Sequence, residues 1–319
     1  MDPNLTIVPI ERLLLHIDEG MTMRLARIQT ADSQSIAISS IEDKWCNLAP
    51  FCQEHPQLQD GNITPLIGDP QLLQRAVTAA KNLPVLDPAE FRFLCPVVAP
   101  EKIICIGKNY AQHAAELGDE PPSLPVVFSK FSSALIGPTD PIVLPAISEQ
   151  VDFEAELVVV IGKKCRFIKS SDAMDHVFGL TIGNDVSSRD WQKGRPGGQW
   201  LLGKTFDTFA PVGPCIVTAN EFSWPVELDV ELRLNGQMMQ SGKTSQMIFS
   251  IEYLVAHLSK FFTLRPGDLI FTGTPAGVGA ARNPPVFLRA GDQIEIAIAG
   301  IGQLENPVIS ENSIQNETR

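Results

Sequence analysis

A β-rich α+β fold follows from three features of the 319-residue sequence. Apolar runs of strand length recur from Ile103 onward, with turn residues between them. The few stretches with helical spacing do not alternate with those runs as βαβ units require. Hydrophobic residues make up 44% and charged residues 19% of the chain, the composition of a globular core and not of a disordered segment.

Residues 1 to about 95 are predicted to form a small N-terminal module. Its first half, in the bursts MRLARIQT, SIAIS and KWCNLAPF, alternates apolar and polar residues as half-buried strands do. The spacing over 68–83 predicts a helix, with Asp69-Pro70 supplying a cap and a first-turn proline. The Pro-rich VLDPAEFRFLCPVVAPEK is expected to be a linker. Residues 99–319 form the main domain. Strands are expected at KIICIG, VVFSK, LVVVIG, LTIGNDV, PCIVT, VELDVELRLNG, DLIFTG and DQIEIAIAG. A helix is expected over 248–262, and the last ten residues read as a polar, frayed tail.

The net charge is −12 and no Lys/Arg cluster interrupts it, which argues against a nucleic-acid partner. An anionic small substrate is repelled at long range, so its site needs a local cation. The six cysteines form no CxxC pair, and four of them sit in or beside apolar runs. They are expected to be buried thiols of a reducing compartment. No run of about 18 apolar residues predicts a membrane span. The N-terminus resembles neither a secretory signal nor an Arg/Ser-rich transit peptide. A cytoplasmic protein is expected, with mitochondrial placement as the alternative.

Four motifs carry chemistry. In VDFEAELVVVIG, residues 151–162, Asp152, Glu154 and Glu156 occupy every second position, so a continuous strand would project all three to one face. Such an alternation is either a solvated strand face or a cation site, because converging carboxylates repel unless something neutralises them. All-oxygen ligation selects Mg²⁺ or Mn²⁺, with Ca²⁺ a further candidate, over Zn²⁺. Asp185, in the Gly-Asn-Asp turn of LTIGNDVSSRD, is either a turn aspartate or the third carboxylate of that set. Tyr110 to Leu117 reads as a short helix closed by Gly118, and in its HAAE His113 and Glu116 share a face: a surface pair, or an acid–base dyad in which Glu116 orients His113. TGTPAGVG, residues 272–279, is either a plain connection between strands or a nest of backbone N–H groups open to an anion.

GQWLLGKT, residues 198–205, matches the phosphate-loop pattern literally. The segment after it, TFDTFAPVGP, cannot begin the helix that the motif requires, so a nucleotide site is rejected. Lys204 remains of interest as a cation that can meet an anionic ligand.

HAAE, DFEAELVVVIG, GNDVSSRDWQ, GKTFDTFAPVGP and TGTPAGVG, in that order, resemble the fumarylacetoacetate hydrolase family from about Ile103 to Pro307. The resemblance implies a mixed β-sandwich roll, usually a homodimer, with a small N-terminal domain at 23–98, because MRLARIQ from Met23 resembles the usual start of shorter members, which leaves residues 1–22 as an N-terminal extension. It implies Glu154, Glu156 and Asp185 as ligands of Mg²⁺ or Mn²⁺, with Asp152 beside them and not among them. It implies His113, Glu116 and Lys204 as catalytic, and Arg189, Gln192 and Thr274 as substrate-facing. The implied substrate is a small anionic 2-oxo acid, and the expected activity is metal-dependent C–C hydrolysis of an acylpyruvate-like β-diketo acid through a stabilised enolate. Oxaloacetate decarboxylation and oxaloacetate keto–enol tautomerisation pass through the same enolate and stand as alternatives. A metal-binding scaffold without catalysis is the alternative of another class. Substrate selection is expected from the lid at 113–125 and the loop at 189–200.

Overall fold

The computed structural model describes residues 23–39, 44–193 and 198–313. The N-terminal extension, part of the 189–200 loop and most of the polar tail lie outside the described residues. The protein is a mixed, β-rich α+β fold. Among the described residues an 11-stranded sheet runs, edge to edge, through Cys46–Asn47, Gln34–Ser39, Arg24–Thr30, Ala210–Thr218, Val177–Asn184, Ala155–Ile161, Leu269–Phe271, Ile103–Gly107 and Val126–Lys130, with Phe91–Leu94 and Leu135–Ile136 paired off this path. A five-stranded sheet orders Gln237–Lys243, Asp229–Leu234, Gln293–Ile298, Gly302–Ser310 and Ile142–Leu144.

The strand Ala155–Ile161 shows how sequence becomes packing. Leu157, Val159 and Ile161 enter the core shared with Leu232, Ile294, Ile296 and Leu304 of the smaller sheet. Val158 and Val160 enter a second core on the opposite face, with Leu66, Leu72 and Leu73 from the helices beneath. A strand covered on both faces reads as a continuous apolar run, which is why LVVVI shows no alternation. Burying each such side chain is worth about 1.5–3 kcal/mol, and all five are fully buried.

Three helices match their sequence signals with trimmed ends. Pro70–Ala80 is capped by Asp69, whose side chain accepts from the backbone of Gln71 and Leu72. Ile251–Ser259 is capped by Ser250 and is shorter than the 248–262 expected. Ala111–Glu116 closes where Gly118 takes a left-handed φ of +76°. There the Gly118 and Asp119 N–H groups return to the carbonyls of Ala115 and Ala114.

Two expectations need correction. The segment expected as a linker contains the strand Phe91–Leu94, antiparallel to Arg24–Thr30. Its prolines lie outside the paired residues, so they do not break the ladder. GQLENPVIS was not expected as a strand, yet Gly302–Ser310 pairs with Gln293–Ile298 and Ile142–Leu144. Pro307 obscured the pattern, and Asn306, fully buried, donates to the carbonyls of Gly137 and Asp140.

Candidate active site

The site forms where the start of one strand meets the end of its neighbour. Ala155–Ile161 is antiparallel to Val177–Asn184, and the register pairs Ala155 with Asn184. Glu154 and Glu156 therefore flank the point where the chain leaves the sheet at Asp185. Asn184 Oδ1 accepts from the Glu154 N–H at 3.0 Å, and the Asp185 N–H donates to the Glu154 carbonyl at 2.9 Å. These bonds fix both turns against each other. One carboxylate oxygen from each of Glu154, Glu156 and Asp185 lies within 4.8 Å of the others, and all three residues are buried.

Burying an ion costs several kcal/mol unless it is paired, and cations surround this cluster. Lys204 Nζ lies 2.8 Å from Glu154 Oε2 and 2.7 Å from Asp185 Oδ2. Lys130 Nζ is 2.8 Å from Asp185 Oδ1. Arg189 Nη2 lies 2.7 Å from Glu154 Oε1 and 2.8 Å from Asp152 Oδ2. Burial opposes ionisation of Glu154, but Lys204, Arg189 and His113 outweigh it and hold its carboxyl well below the usual range. Glu156 goes the other way: burial, then the nearby Asp185 and Glu154, push it well above the usual range, against the N–H of Gly273 that donates to its Oε2 at 2.7 Å. Burial lowers Lys204, yet Asp185 and Glu154 keep it above its ordinary value.

Four carboxyl groups, Asp152, Glu154, Glu156 and Asp185, meet three buried cations, Lys130, Arg189 and Lys204, so ionising Glu156 as well would leave the cluster one negative charge in excess. The unrelieved repulsion at Glu156, among three convergent oxygen donors, fits a hard divalent cation such as Mg²⁺ or Mn²⁺.

Asp152 does not join that cluster. The strand breaks after Val151–Asp152 and resumes at Ala155, so strict alternation does not carry through Glu154. The Asp152 carboxylate instead accepts from Arg189 Nε at 2.9 Å and from the N–H groups of Gly279 and Ala280 at 2.8 and 3.0 Å. It orients Arg189 and pins the loop that follows Leu269–Phe271.

That loop is TGTPAGVG, and it is an anion nest for the protein's own carboxylates, not one open to a ligand. Gly273 serves Glu156, Gly277 serves Glu116 at 2.7 Å, and Gly279 serves Asp152. Gly273 has φ +100°, and a Cβ there would stand 2.7 Å from Asn109 Cβ. Thr274 points its hydroxyl to the Ala155 carbonyl at 2.9 Å and receives Gln240 Nε2 at 2.7 Å. His113 Nδ1 is 2.7 Å from Glu116 Oε1, and His113 is nearly buried.

A cavity of about 310 Å³ brings these parts together. His113, Glu154, Glu156, Arg189, Gln192, Lys204 and Thr274 line it. Asp185 lies beneath, and Glu116 behind His113. The rejected phosphate-loop match is a short helix, Leu201–Lys204, in which Lys204 is the last residue and no helix N-terminus faces a ligand.

Two residues were missed. Lys130 is fully enclosed and donates to the carbonyls of Val186 at 3.0 Å, Phe209 at 2.8 Å and Lys204. Its signal was its parity, since Val126, Phe128 and Lys130 all face inward along one strand. Asn109 joins three segments, donating to Thr272 and Phe249 carbonyls and accepting from the Phe249 N–H. Nothing in its sequence neighbourhood distinguished it.

Residues 102–309 match the family described as fumarylacetoacetate (FAA) hydrolase C-terminal. The human protein named oxaloacetate tautomerase FAHD2A, mitochondrial, is 51% identical over 230 residues, which span 72% of this chain and 73% of that one. The Xenopus laevis oxaloacetate tautomerase fahd2, mitochondrial, is 46% identical over 291 residues, 91% of each chain. Among solved structures, fumarylacetoacetate hydrolase from Exiguobacterium antarcticum superposes with a TM-score of 0.77 at 35% identity, covering 91% of this chain and 100% of the other. Maleylpyruvate hydrolase from Sphingobium superposes with a TM-score of 0.74, also at 35% identity, over 90% and 99% of the two chains. With the family match spanning most of the chain and the fold shared over 91% of it, the protein belongs to the fumarylacetoacetate hydrolase family.

Proposed function

We propose that this enzyme interconverts the enol and keto forms of oxaloacetate or a closely similar 2-oxo diacid. The observation that carries the reading is the single cavity in which His113 faces the carboxylate cluster and its cations. Relatives named oxaloacetate tautomerase, alike over most of their length, favour tautomerisation over the C–C hydrolysis expected from the sequence.

Glu154, Glu156 and Asp185 would hold the divalent cation. Bound there, it supplies a Lewis acid for the carboxylate and oxo groups of the substrate. Lys204, Arg189 and Gln192 set the charge and hydrogen bonding of the same wall. Arg189 is held rigid by Asp152 and by Gln192, whose Oε1 accepts from Nη1 at 2.9 Å. The His113–Glu116 pair moves the proton. Nδ1 is engaged by Glu116, which leaves Nε2 as the proton-carrying atom. In the enol-to-keto direction the enol oxygen loses a proton and C3 gains one, so the reaction needs an acid–base group and consumes no water. The cavity is at the small end of ligand pockets, which suits a short acid.

The intact dyad also supports hydrolysis, in which Nε2 would take a proton from water instead of carbon. One assay separates the readings. The protein with Mg²⁺ or Mn²⁺ is given oxaloacetate and acetylpyruvate in parallel, followed by NMR, with a chelator control and with His113→Ala. Tautomerisation predicts faster enol-to-keto conversion of oxaloacetate, abolished by chelation and by His113→Ala. Acetate plus pyruvate from acetylpyruvate would restore the hydrolase reading, and pyruvate plus CO₂ from oxaloacetate would make it a decarboxylase. No change in either substrate would leave a metal-binding scaffold. The mitochondrial relatives support mitochondrial over cytoplasmic placement.

A further inference from the structure

We propose that Lys108 is the specificity-determining residue for the distal carboxylate of a diacid, and that Asp119 holds its ammonium in place until the ligand arrives. The inference deepens the reading of a 2-oxo diacid substrate and rests on it.

The cavity has two cationic ends joined by an aromatic wall. At the inner end, Lys204 Nζ lies 5.0 Å from the centroid of the Phe128 ring. Phe128 meets Trp200 edge to face, with ring centroids 5.4 Å apart. At the outer end, Lys108 Nζ stands 5.9 Å from the Trp200 ring centroid. All four residues line the same cavity. A short acid whose first carboxylate lies by Lys204 and Arg189 would extend along Phe128 and Trp200 and present its second carboxylate to Lys108.

The chain is shaped to put Lys108 there. Lys108 follows the strand Ile103–Gly107 with φ +57°, a left-handed conformation that favours glycine and is strained for a lysine. Gly107 before it has no room for a side chain, because a Cβ would lie 2.6 Å from Trp200 Cζ3. The strained residue and the bare one together bring ammonium and indole into the cavity.

Asp119 provides the resting partner. Its carboxylate lies 3.0 Å from Lys108 Nζ, and the helix stop that fixes the Asp119 backbone closes the same short helix that carries His113 and Glu116. The pair is partly solvated, with side chains 23% and 39% exposed, so exchange of one carboxylate for another is cheap. A second cation, Lys193, also lines this end but is exposed, and Asp119 acts on it too.

The test measures binding apart from turnover. Calorimetry with Mg²⁺ compares the inert diacid malate with its monoacid counterpart lactate, for wild type, Lys108→Ala, Lys108→Arg, Asp119→Asn and Lys193→Ala. Loss of one charge-assisted contact predicts that Lys108→Ala weakens malate on the order of tenfold to a hundredfold and leaves lactate unchanged. Lys108→Arg should retain most malate affinity. Asp119→Asn should tighten malate by removing the competing carboxylate, whereas a purely structural role for the pair predicts weaker binding. Equal losses for both acids in Lys108→Ala, selectivity lost through Lys193→Ala instead, or a wild type that does not prefer malate would each overturn the assignment. Failure of the proposed function is distinct: oxaloacetate would go unturned while the malate preference and its loss in Lys108→Ala persisted.

Discussion

The Gly277 N–H donates to Glu116 Oε2 at 2.7 Å, so the carboxylate that orients His113 is itself held by the loop after Leu269–Phe271. Neighbouring N–H groups of the same loop hold Glu156 and Asp152. One glycine-rich turn thus sets the dyad, one carboxylate of the cluster and the partner of Arg189. Glu116, Glu156 and Asp152 keep their relative positions because they hang from a common backbone.

Gly277 has φ +113°, and a Cβ there would run into the Met239 carbonyl. Gly277→Ala must shift the loop and release Glu116. Turnover is expected to fall by about one to two orders of magnitude, part of the 10²–10⁴-fold that a positioned acid–base group contributes. Metal-dependent thermal stabilisation should persist, since Glu154 and Asp185 are held elsewhere. Unchanged turnover in that variant would show that the Glu116 contact does no positioning.

Lys130 tests the packing side of the site. Its ammonium has no water to fall back on, and it supports Asp185 together with three carbonyls. Lys130→Met leaves those carbonyls and Asp185 Oδ1 buried without their cation, while Lys204 still pairs Asp185 Oδ2, so the cost is about 3 kcal/mol, the low end for a broken buried pair. A chemical denaturation curve should show a clear drop in midpoint, and an unshifted midpoint would refute the structural role.

Lys130 also marks the limit of what the sequence reveals. The apolar run of Ala155–Ile161, the Asp69 cap and the Gly118 stop are local signals, and each is visible within a few residues. Glu154, Glu156 and His113 stood out because acids and histidines at regular spacing are conspicuous beside core. Lys130 and Asn109 act through partners more than 50 residues away, and a buried lysine differs from a surface one only by its parity in the strand. Asp152 shows the converse failure. Its spacing to Glu154 is right for one face, but the strand breaks between them; Asp185, which the residues alone left as a turn aspartate or a third carboxylate, is brought to Glu154 and Glu156 by the register that pairs Ala155 with Asn184.

The thiols give a prediction independent of catalysis. All six cysteines are free; Cys46 is half-buried and the other five are buried. Burial pushes Cys95 and Cys215 up to about 12, and Cys105 well above its ordinary value. At pH 8 a thiol of that kind is about one part in ten thousand thiolate, the reactive form. Alkylation of the native protein followed by mass spectrometry should label Cys46 first, with Cys95, Cys105 and Cys215 labelled only on unfolding. Rapid modification of Cys105 would contradict its burial beneath the site.

Metal affinity should rise with pH, and Glu156 supplies the sign. Burial and two neighbouring carboxylates raise its folded-state value, so the protonated form is favoured in the metal-free protein. Its contribution to the stability of that form is full below the ordinary carboxylate value and is lost as pH rises through the raised one. A divalent cation needs the carboxylate, so binding below the raised value expels a proton and strengthens as the pH climbs. At a concentration one hundredfold above Kd the cation adds about 2.7 kcal/mol to stability. Thermal unfolding with Mn²⁺ and with chelator, across a pH series, should therefore show a gap that widens with pH. Glu156→Gln removes both the proton and the ligand, so it should flatten the pH dependence of the chelated protein and abolish the gap. A metal-induced gap that narrows as pH rises, or that survives in Glu156→Gln, would remove Glu156 from the ligand set.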